Sequence, residues 1–252
     1  MTDQLSLRLE TDLPNLPATL RPMLPRLLPE PFDSADHLFE PSWGGLRALA
    51  LIGPAESPGG GDVRLVDGDG RDVGANLAEL SGLAVRVDAR SAVLDGELVV
   101  VDPHGRADTA ELDRRIEGTA GRPVAYLAFD LLHLDGRSLL SLPLFRRREM
   151  LRRVLRPGDE VVAVPAIAGE GRALFDAVAA QGIAGVMARQ RTSPYLSGVR
   201  SRLWRFVPAS PRATKAQVRA EAASGVVEGA AVGPANGPVI ALIRRLPLPE
   251  DD

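Results

Sequence analysis

The segment that decides the fold is Leu38-Phe39-Glu40-Pro41-Ser42-Trp43-Gly44-Gly45-Leu46-Arg47-Ala48-Leu49-Ala50. Its apolar second half, continued to Ile52, predicts a strand. The glycines at 59–61 predict a hairpin loop, and residues 63–66 return as a second strand. These glycines do not indicate a phosphate-binding loop, because no Gly-Lys-Ser or Gly-Lys-Thr follows them. The segment therefore predicts an antiparallel strand pair that begins just after Ser42.

Composition is that of a globular protein. The chain has 252 residues, of which 45% are hydrophobic and 25% charged, enough for one large domain or one domain with a short appendix. No apolar run approaches the length of a membrane span, and the first residues, Met1 to Gln4, lack the basic start of a secretory signal. We therefore expect a cytoplasmic protein with no membrane contact.

Several kinds of chemistry are excluded by residue usage. The chain has no cysteine, and its three histidines are too far apart for metal-ligand spacing, so we predict no metal site from the residues alone. Lys215 is the only lysine. The net charge of −3 gives no overall attraction to nucleic acid, so any DNA contact requires a local arginine patch.

The remaining sequence predicts three regions. Residues 1–36 are rich in proline and predict an extended arm, residues 37–208 the main domain, and residues 209–252 a short extension with one helix and two strands. That extension is too short for a five-stranded OB-fold. Helices are expected at residues 76–83, 109–116, 145–155 and 171–181, the second capped by Asp108 or Thr109 and the third with solvated arginines.

The opening segment resembles the nucleotide-attachment motif of ATP-dependent DNA ligases, Glu-Pro-Lys-x-Asp-Gly-x-Arg-Ala. In that family the lysine amine attacks the α-phosphate of ATP. Ser42 stands at the lysine position and Gly44 at the aspartate position, whereas Glu40 and Arg47 match. A neutral amine is the nucleophile that forms a phosphoramidate, and a serine hydroxyl needs a base to replace it. The histidine nearest in sequence is His37.

Further segments resemble later motifs of the same family, in family order from about residue 22 to 208. They are Leu94-Asp95-Gly96-Glu97-Leu98-Val99, Phe129-Asp130-Leu131-Leu132, Ala184-Gly185-Val186-Met187-Ala188-Arg189, Ser193-Pro194-Tyr195 and Trp204-Arg205-Phe206-Val207-Pro208. The resemblance implies that Glu97 serves the nucleotide ribose or the catalytic metal, and that Phe129 stacks on adenine. Without it, Glu97 would be interpreted as an exposed strand carboxylate and Phe129 as a core residue.

Departures from the family pattern are concentrated at its functional positions. Ala184 replaces a glutamate that helps to hold the metal, Phe206 and Pro208 replace lysines that grip the α-phosphate, and Gly68 replaces an arginine. Arg189 stands where the family has a lysine. The resemblance thus leaves four candidates for nucleotide contacts, which are Arg47, Glu97, Phe129 and Arg189.

The resemblance implies an α+β fold of the DNA-ligase nucleotidyltransferase type (ATP-grasp-like), with two antiparallel sheets flanked by helices and a cleft between them. The hypothesis we favour is a catalytically silent member that acts as a DNA-repair accessory or partner-binding module. The family uses ATP and Mg²⁺; we expect no required cofactor here, only weak adenine-nucleotide binding, and DNA or a DNA-repair protein as partner. Two alternatives are an active ligase or adenylyltransferase that uses substituted residues or a partner's lysine, and a structural domain without nucleotide binding.

Overall fold

The computed structural model describes residues 16–209. The expected helix and strands beyond residue 209 therefore lie outside the described residues. Eleven strands and three α-helices are described, in chain order: β1 (Leu24–Leu27), β2 (Ser34–Ser42), β3 (Leu46–Ile52), β4 (Val63–Asp67), β5 (Ala92–Val99), α1 (Thr109–Ile116), β6 (Ala125–Leu134), β7 (Arg137–Ser138), α2 (Leu144–Val154), β8 (Val161–Ala163), β9 (Ile167–Gly169), α3 (Gly171–Ala180), β10 (Gly185–Gln190) and β11 (Arg200–Pro208).

The strands form two sheets, as expected. Sheet one has the order β1-β11-β10-β2-β9, and sheet two has the order β4-β3-β5-β6-β7 with β8 beside β6. Most pairs are antiparallel, but β1 pairs with β11 and β8 with β6 in parallel. Consecutive segments β2 and β3 lie in different sheets, so the short stretch of residues 43–45 joins the two layers.

Alternation along β3 shows how sheet two is buried on both faces. Leu49 and Leu51 belong to a core cluster that also contains residues of sheet one and α3. Ala48, Ala50 and Ile52 belong to a second cluster, on the face that packs against α1 and α2. Because successive side chains of a strand point to opposite faces, Arg47 lies on the same face as Leu49, toward sheet one.

Strand β6 carries two irregularities that the sequence did not predict. Its pairing with β5 shifts register between Val93 and Leu94 and again between Asp95 and Gly96, which leaves Leu132 and Phe129 opposite no partner. An extra residue in one strand bends it and redirects the neighbouring side chains. Phe129, the unpaired residue at one shift, and its neighbour Asp130 are both buried.

The helices follow local signals with one exception. Helix α1 has the expected bounds, and its N-cap Asp108 accepts a hydrogen bond from Glu111 N at 3.0 Å, a contact worth about 1 kcal/mol. Helices α2 and α3 lie within one residue of the expected bounds. The prediction of a helix at residues 76–83 was wrong. Two 3₁₀ helices, Ala78–Leu80 and Leu83–Arg86, occupy this region instead. A glycine at 82 between them disfavours a continuous helix.

The N-terminal part of the described chain differs from a simple extended arm. Residues 24–27 form the edge strand β1, and Met23 is fully buried, with its N–H donating to Tyr195 Oη at 2.9 Å. A proline at position 25 is tolerated because edge strands need fewer ladder hydrogen bonds. Part of the expected arm therefore belongs to sheet one. None of the helices between residues 16 and 209 is long and apolar enough to cross a membrane.

Candidate functional site

Three neighbouring strands of sheet one present rows of side chains toward sheet two. Pairing of β10 with β2 and β11 places Arg189 between Leu38 and Trp204, Met187 between Glu40 and Phe206, and Gly185 between Ser42 and Pro208. Adjacent strands are about 4.8 Å apart, so each row is one continuous strip. Four of the positions singled out in the sequence, Ser42, Arg189, Phe206 and Pro208, thus lie on one surface.

We call Ser42, Gly185, Met187, Phe206 and Pro208, from the last two rows, the serine end of the cleft. Glu40, the remaining member of these rows, pairs with Arg148 and Arg189. Met187 and Phe206 are buried and form a small apolar cluster with the partly buried Ala184. The structure therefore groups the three substituted positions Ala184, Phe206 and Pro208 at one place. Apolar side chains there offer no charge to a phosphate or a metal ion.

His37, the histidine nearest to Ser42 in sequence, is not placed to activate it. His37 is five residues away along the same strand, or about 16 Å at the usual rise, and its side chain alternates to the opposite face. Its Nδ1 instead makes a hydrogen bond of 2.9 Å with Ser34 Oγ. In the part of the chain that the structure describes, no group of three or more His, Asp or Glu side chains is placed to hold a metal ion.

Glu97 holds the turn that follows Ser42. Its carboxylate accepts a hydrogen bond from the backbone N–H of Gly45. The backbone N–H groups of Trp43 and Gly44 also favour its charged form. Burial raises the pKa of Glu97 even though these N–H groups favour the charged form. The interpretation of Glu97 as an exposed carboxylate was wrong, since only 9% of the residue is exposed.

Two glycines of this turn are required by its geometry. Gly44 has φ of 80°, in the left-handed region where a side chain is strained. A Cβ on Gly45 would lie 2.1 Å from Leu98 O, so no other residue fits there. The position where the family has an aspartate therefore has a backbone conformation that favours glycine.

Phe129, Trp204, Arg47 and Arg189 form what we call the arginine end. The guanidinium carbon of Arg189 lies 4.0 Å from the centroid of the Phe129 ring and 4.7 Å from that of Trp204. The corresponding distances from Arg47 are 4.7 and 5.2 Å. Desolvated cation–π contacts of this kind contribute about 2 kcal/mol. The aromatic ring expected to stack on a base is therefore in contact with two arginines of the same chain.

Glu40 fixes Arg189 in this place. Its carboxylate pairs with both Arg189 and Arg148, the latter at 2.5 Å. Arg148 also donates to Phe129 O at 2.7 Å and Val164 O at 2.6 Å, which joins α2 and both sheets. Burial lowers the pKa of Arg189 to about 9, so its guanidinium is charged at neutral pH. We call Glu40, Arg148 and Arg189 the ion triad.

Two further buried ion pairs border the triad. Arg47 donates to both oxygens of Asp95, at 2.7 and 2.6 Å, and Tyr195 Oη donates to the same carboxylate at 2.7 Å. Burial opposes the charge of Arg47, but Asp95 raises its pKa on balance. Arg147 pairs with Asp130 at 2.9 and 2.7 Å, with both side chains fully buried. The expectation that the arginines of α2 are solvated was thus wrong for Arg147 and Arg148.

Little space remains in the cleft. The cavity lined by Glu40, Ser42, Arg47, Glu97, Phe129 and Arg189 has a volume of about 20 Å³, room for a water molecule. Pockets for small organic ligands usually measure about 300 Å³ or more. With Arg189 against Phe129 and an apolar serine end, the residues present do not fit an adenine nucleotide with its metal ion in this conformation.

The four candidate contacts therefore have internal partners. Arg47, Glu97, Phe129 and Arg189 all line one cavity, but they contact Asp95, the 43–45 turn and one another. Gly68 lies apart, in a tight turn where Asp67 Oδ1 accepts from Asp69 N and Arg71 N at 2.9 Å. Sequence reasoning missed the ion triad, for which the only signal was an unusual number of arginines in α2.

Comparison with known proteins identifies relatives of this chain among DNA ligases. The sequence profile of the family described as "ATP dependent DNA ligase domain" matches residues 59–205. A relative from Mycobacterium bovis, "Multifunctional non-homologous end joining protein LigD", is 35% identical over 166 residues, 66% of this chain and 21% of the relative. A "Probable DNA ligase" from Saccharopolyspora erythraea is 36% identical over 160 residues, 60% of this chain and 30% of the relative.

Solved structures of DNA ligases also resemble this chain. The structure titled "mycobacterial DNA ligase D complexed with ATP and MES" has a TM-score of 0.63 and 31% identity, and the alignment covers 76% of this chain and 60% of that one. The ligase domain of LigD from M. tuberculosis gives a TM-score of 0.61 at 31% identity, over 75% of this chain and 59% of that one. The chain spans only about a fifth to a third of the two curated relatives named above.

Proposed function

We propose that this chain, which belongs to the ATP-dependent DNA ligase family, is a catalytically silent member that acts as a DNA-repair accessory or partner-binding domain. The observation that carries the proposal is the serine end, where Ser42 stands at the nucleophile position beside an apolar surface. The function of the whole relatives is not transferred with the fold, because function depends on the residues of the site.

The first argument is the nucleophile. Attack on a phosphorus atom by nitrogen needs a neutral amine, and between residues 16 and 209 there is no lysine to provide one. Serine attack needs a positioned base, and His37 points to the other face of its strand. Covalent adenylate formation therefore lacks its reacting group.

The second argument is charge stabilisation. Phosphoryl and nucleotidyl transfer depends on cations and metal ions placed where negative charge develops. Ala184 and Phe206 stand where the resemblance implies a metal ligand and a phosphate-binding lysine, and both pack with Met187 in an apolar cluster. Groups that act as a unit are not replaced one at a time, so loss of both nucleophile and clamp favours a silent domain.

A repair role is supported by the named relatives. LigD is described as a non-homologous end joining protein, and the M. tuberculosis relative as a DNA repair protein. We propose that this chain likewise works in the cytoplasm with DNA or with a DNA-repair protein. ATP and Mg²⁺ are not required for that role.

The test is incubation of the full chain with ATP labelled at the α-phosphate and magnesium, followed by a denaturing gel. We expect no label on the protein, and the matched control Ser42→Ala gives the same blank lane. A band that survives denaturation in the unsubstituted chain and is lost in Ser42→Ala would overturn the proposal.

A further inference from the structure

Strand β1 is an edge of sheet one whose outer side is closed to a further strand. Among the strands that the structure describes, it pairs only with β11. Pro25 has no N–H to donate, and its carbonyl oxygen accepts a hydrogen bond from Arg200 Nη1 at 2.7 Å. Proline and charged side chains are common means of protecting a sheet edge. A partner at this edge is therefore held by side chains and not by backbone pairing.

The side chains at this edge are basic and apolar. Five exposed residues, which we call the β1 edge, are Arg26, Leu27, Val199, Arg200 and Arg202. Of the four large apolar residues that are exposed between positions 16 and 209, two belong to the β1 edge, Leu27 at 48% and Val199 at 47%. Residues 20–29 and 191–209, which contain both strands, include no aspartate or glutamate. Arg26 and Arg202 form no ion pair with another described residue.

This mixture of side chains fits an acidic, apolar peptide better than a nucleic acid. Guanidinium groups pair with carboxylates and with phosphates alike. A nucleic-acid backbone, however, binds through its phosphates and gives leucine and valine nothing to pack against. A peptide that carries both leucines and carboxylates has a partner for each kind of side chain at the β1 edge.

The same chain contains such a peptide. Residues 246–252 are Leu-Pro-Leu-Pro-Glu-Asp-Asp, in which two leucines precede three consecutive acids and no base occurs. Its alternate prolines donate no backbone hydrogen bonds, which suits an edge that is closed to backbone pairing. Residues 1–15, in contrast, have scattered acids and a base, Arg8. The described chain ends at Ala209, directly after β11, and a flexible connection of the length of residues 210–245 spans about 30 Å. Residues 246–252 can therefore reach β1.

We infer that residues 246–252 dock on the β1 edge of the same chain. Their leucines pack against Leu27 and Val199, and their acids pair with the arginines of the β1 edge. Because the connection keeps the segment at a high effective concentration, it competes with acidic ligands from other molecules. The inference goes beyond the proposed function, since it concerns a surface outside the cleft and stands whether or not the chain forms an adenylate.

The experiment uses the absence of cysteine from the chain. Leu27→Cys is combined with Leu248→Cys in the full chain, and disulfide formation under mild oxidation is followed by intact mass and gel mobility. The matched control combines Val85→Cys with Leu248→Cys, because Val85 is 64% exposed but lies in the 3₁₀ helix Leu83–Arg86, away from the β1 edge. We expect an intramolecular disulfide at least about tenfold faster from position 27 than from position 85.

A second set of variants tests the role of charge in the same assay. Glu250→Gln, Asp251→Asn and Asp252→Asn together remove the carboxylates with little change of size. They should slow the disulfide from position 27 about fivefold or more and leave the control rate unchanged, and high salt should act in the same way. The pair Val199→Cys with Leu246→Cys repeats the measurement without altering Leu27.

Three results would overturn the inference. One is equal disulfide rates at the β1 edge and at position 85 in both pairs, and another is a fast rate that survives removal of the three carboxylates. A disulfide between two molecules is the third, since it would make a second copy the occupant. Equal rates, together with weaker binding of a DNA duplex by Arg202→Glu than by the unsubstituted chain, would assign the edge to nucleic acid instead. Covalent labelling by ATP bears on the proposed function alone.

Discussion

The arginine end and the serine end are neighbouring parts of one cleft, but they are filled in different ways. At the arginine end, family-like residues such as Phe129 and Arg47 remain, and buried charges of the chain occupy the space around them. At the serine end the charged groups are absent, and Met187 and Phe206 pack together instead. Internal ion pairs close the arginine end, whereas apolar side chains close the serine end. The two ends should therefore respond differently to substitution.

The largest effect is expected at the arginine end, from Glu40→Gln. This change removes the only negative member of the ion triad and leaves two buried guanidinium groups facing a neutral amide. Breaking a buried ion pair costs about 3–5 kcal/mol, so the free energy of unfolding should fall by that amount in urea titrations. The exposed pair of Arg153 with Glu149 is the control, and Arg153→Ala should cost about 0–1 kcal/mol. Similar losses in both variants would mean that the triad does not hold the two sheets.

A smaller effect is expected at the serine end, from Phe206→Leu. Phe206 is fully buried beside Met187, and leucine keeps the site apolar with some loss of volume. We expect a decrease of about 1 kcal/mol in the free energy of unfolding, by the same urea titration. A loss as large as that of Glu40→Gln would remove the contrast between the two ends.

Glu97, which holds the turn at residues 43–45, should make the free energy of unfolding depend on pH. Burial raises the pKa of Glu97, so the folded chain holds a proton at pH values where the unfolded chain has released it. Glu97 therefore makes the unsubstituted chain less stable as pH rises from the ordinary carboxyl range through the raised pKa. Glutamine cannot titrate, so the stability of the unsubstituted chain relative to Glu97→Gln should fall across that window and be constant below it.

Other ionisable groups do not disturb this comparison. Asp130, whose pKa burial raises, and Glu79, Asp102 and Glu160, whose pKa values are lowered, are present in both proteins and cancel. Denaturation of both proteins at a series of pH values gives the difference directly. A difference that rises with pH would show that the three backbone N–H groups outweigh burial.

The smallest effect is expected from Ser42→Lys, which returns an amine to the nucleophile position. Ala184 and Phe206 still give no metal ligand or cation, so no nick sealing should be detected on a nicked duplex with ATP and magnesium. Sealing by this single variant would show that the apolar serine end does not prevent the reaction.

Local sequence signals predicted individual helices and strands, and the family resemblance predicted the two-sheet fold. Asp108 followed three residues later by Glu111 marks the start of α1, and the apolar run from Leu46 to Ile52 marks β3, because caps and periodicity act between near neighbours. The edge strand β1 was missed because closely spaced prolines favour extended chain without specifying a partner. Residues 76–83 gave 3₁₀ turns because tertiary packing overrides a short helical preference.

The site could be predicted only in part, since its partners are distant in sequence. Glu40 and Arg148 are 108 residues apart, and nothing near either residue indicates that they meet. The register shift beside Phe129 depends on pairing with β5 and is equally invisible locally. The sequence therefore predicted which residues line the cleft, through the family resemblance, but not that Arg189 would lie on Phe129.

The central claim, that both ends of the cleft are closed to nucleotide, is tested most directly by calorimetric titration of the unsubstituted full chain with ATP and with adenosine. Each ligand is titrated with and without magnesium. The account predicts weak and similar binding of both, on the order of millimolar, with no dependence on magnesium. ATP bound in the micromolar range, and only with the metal, would contradict it.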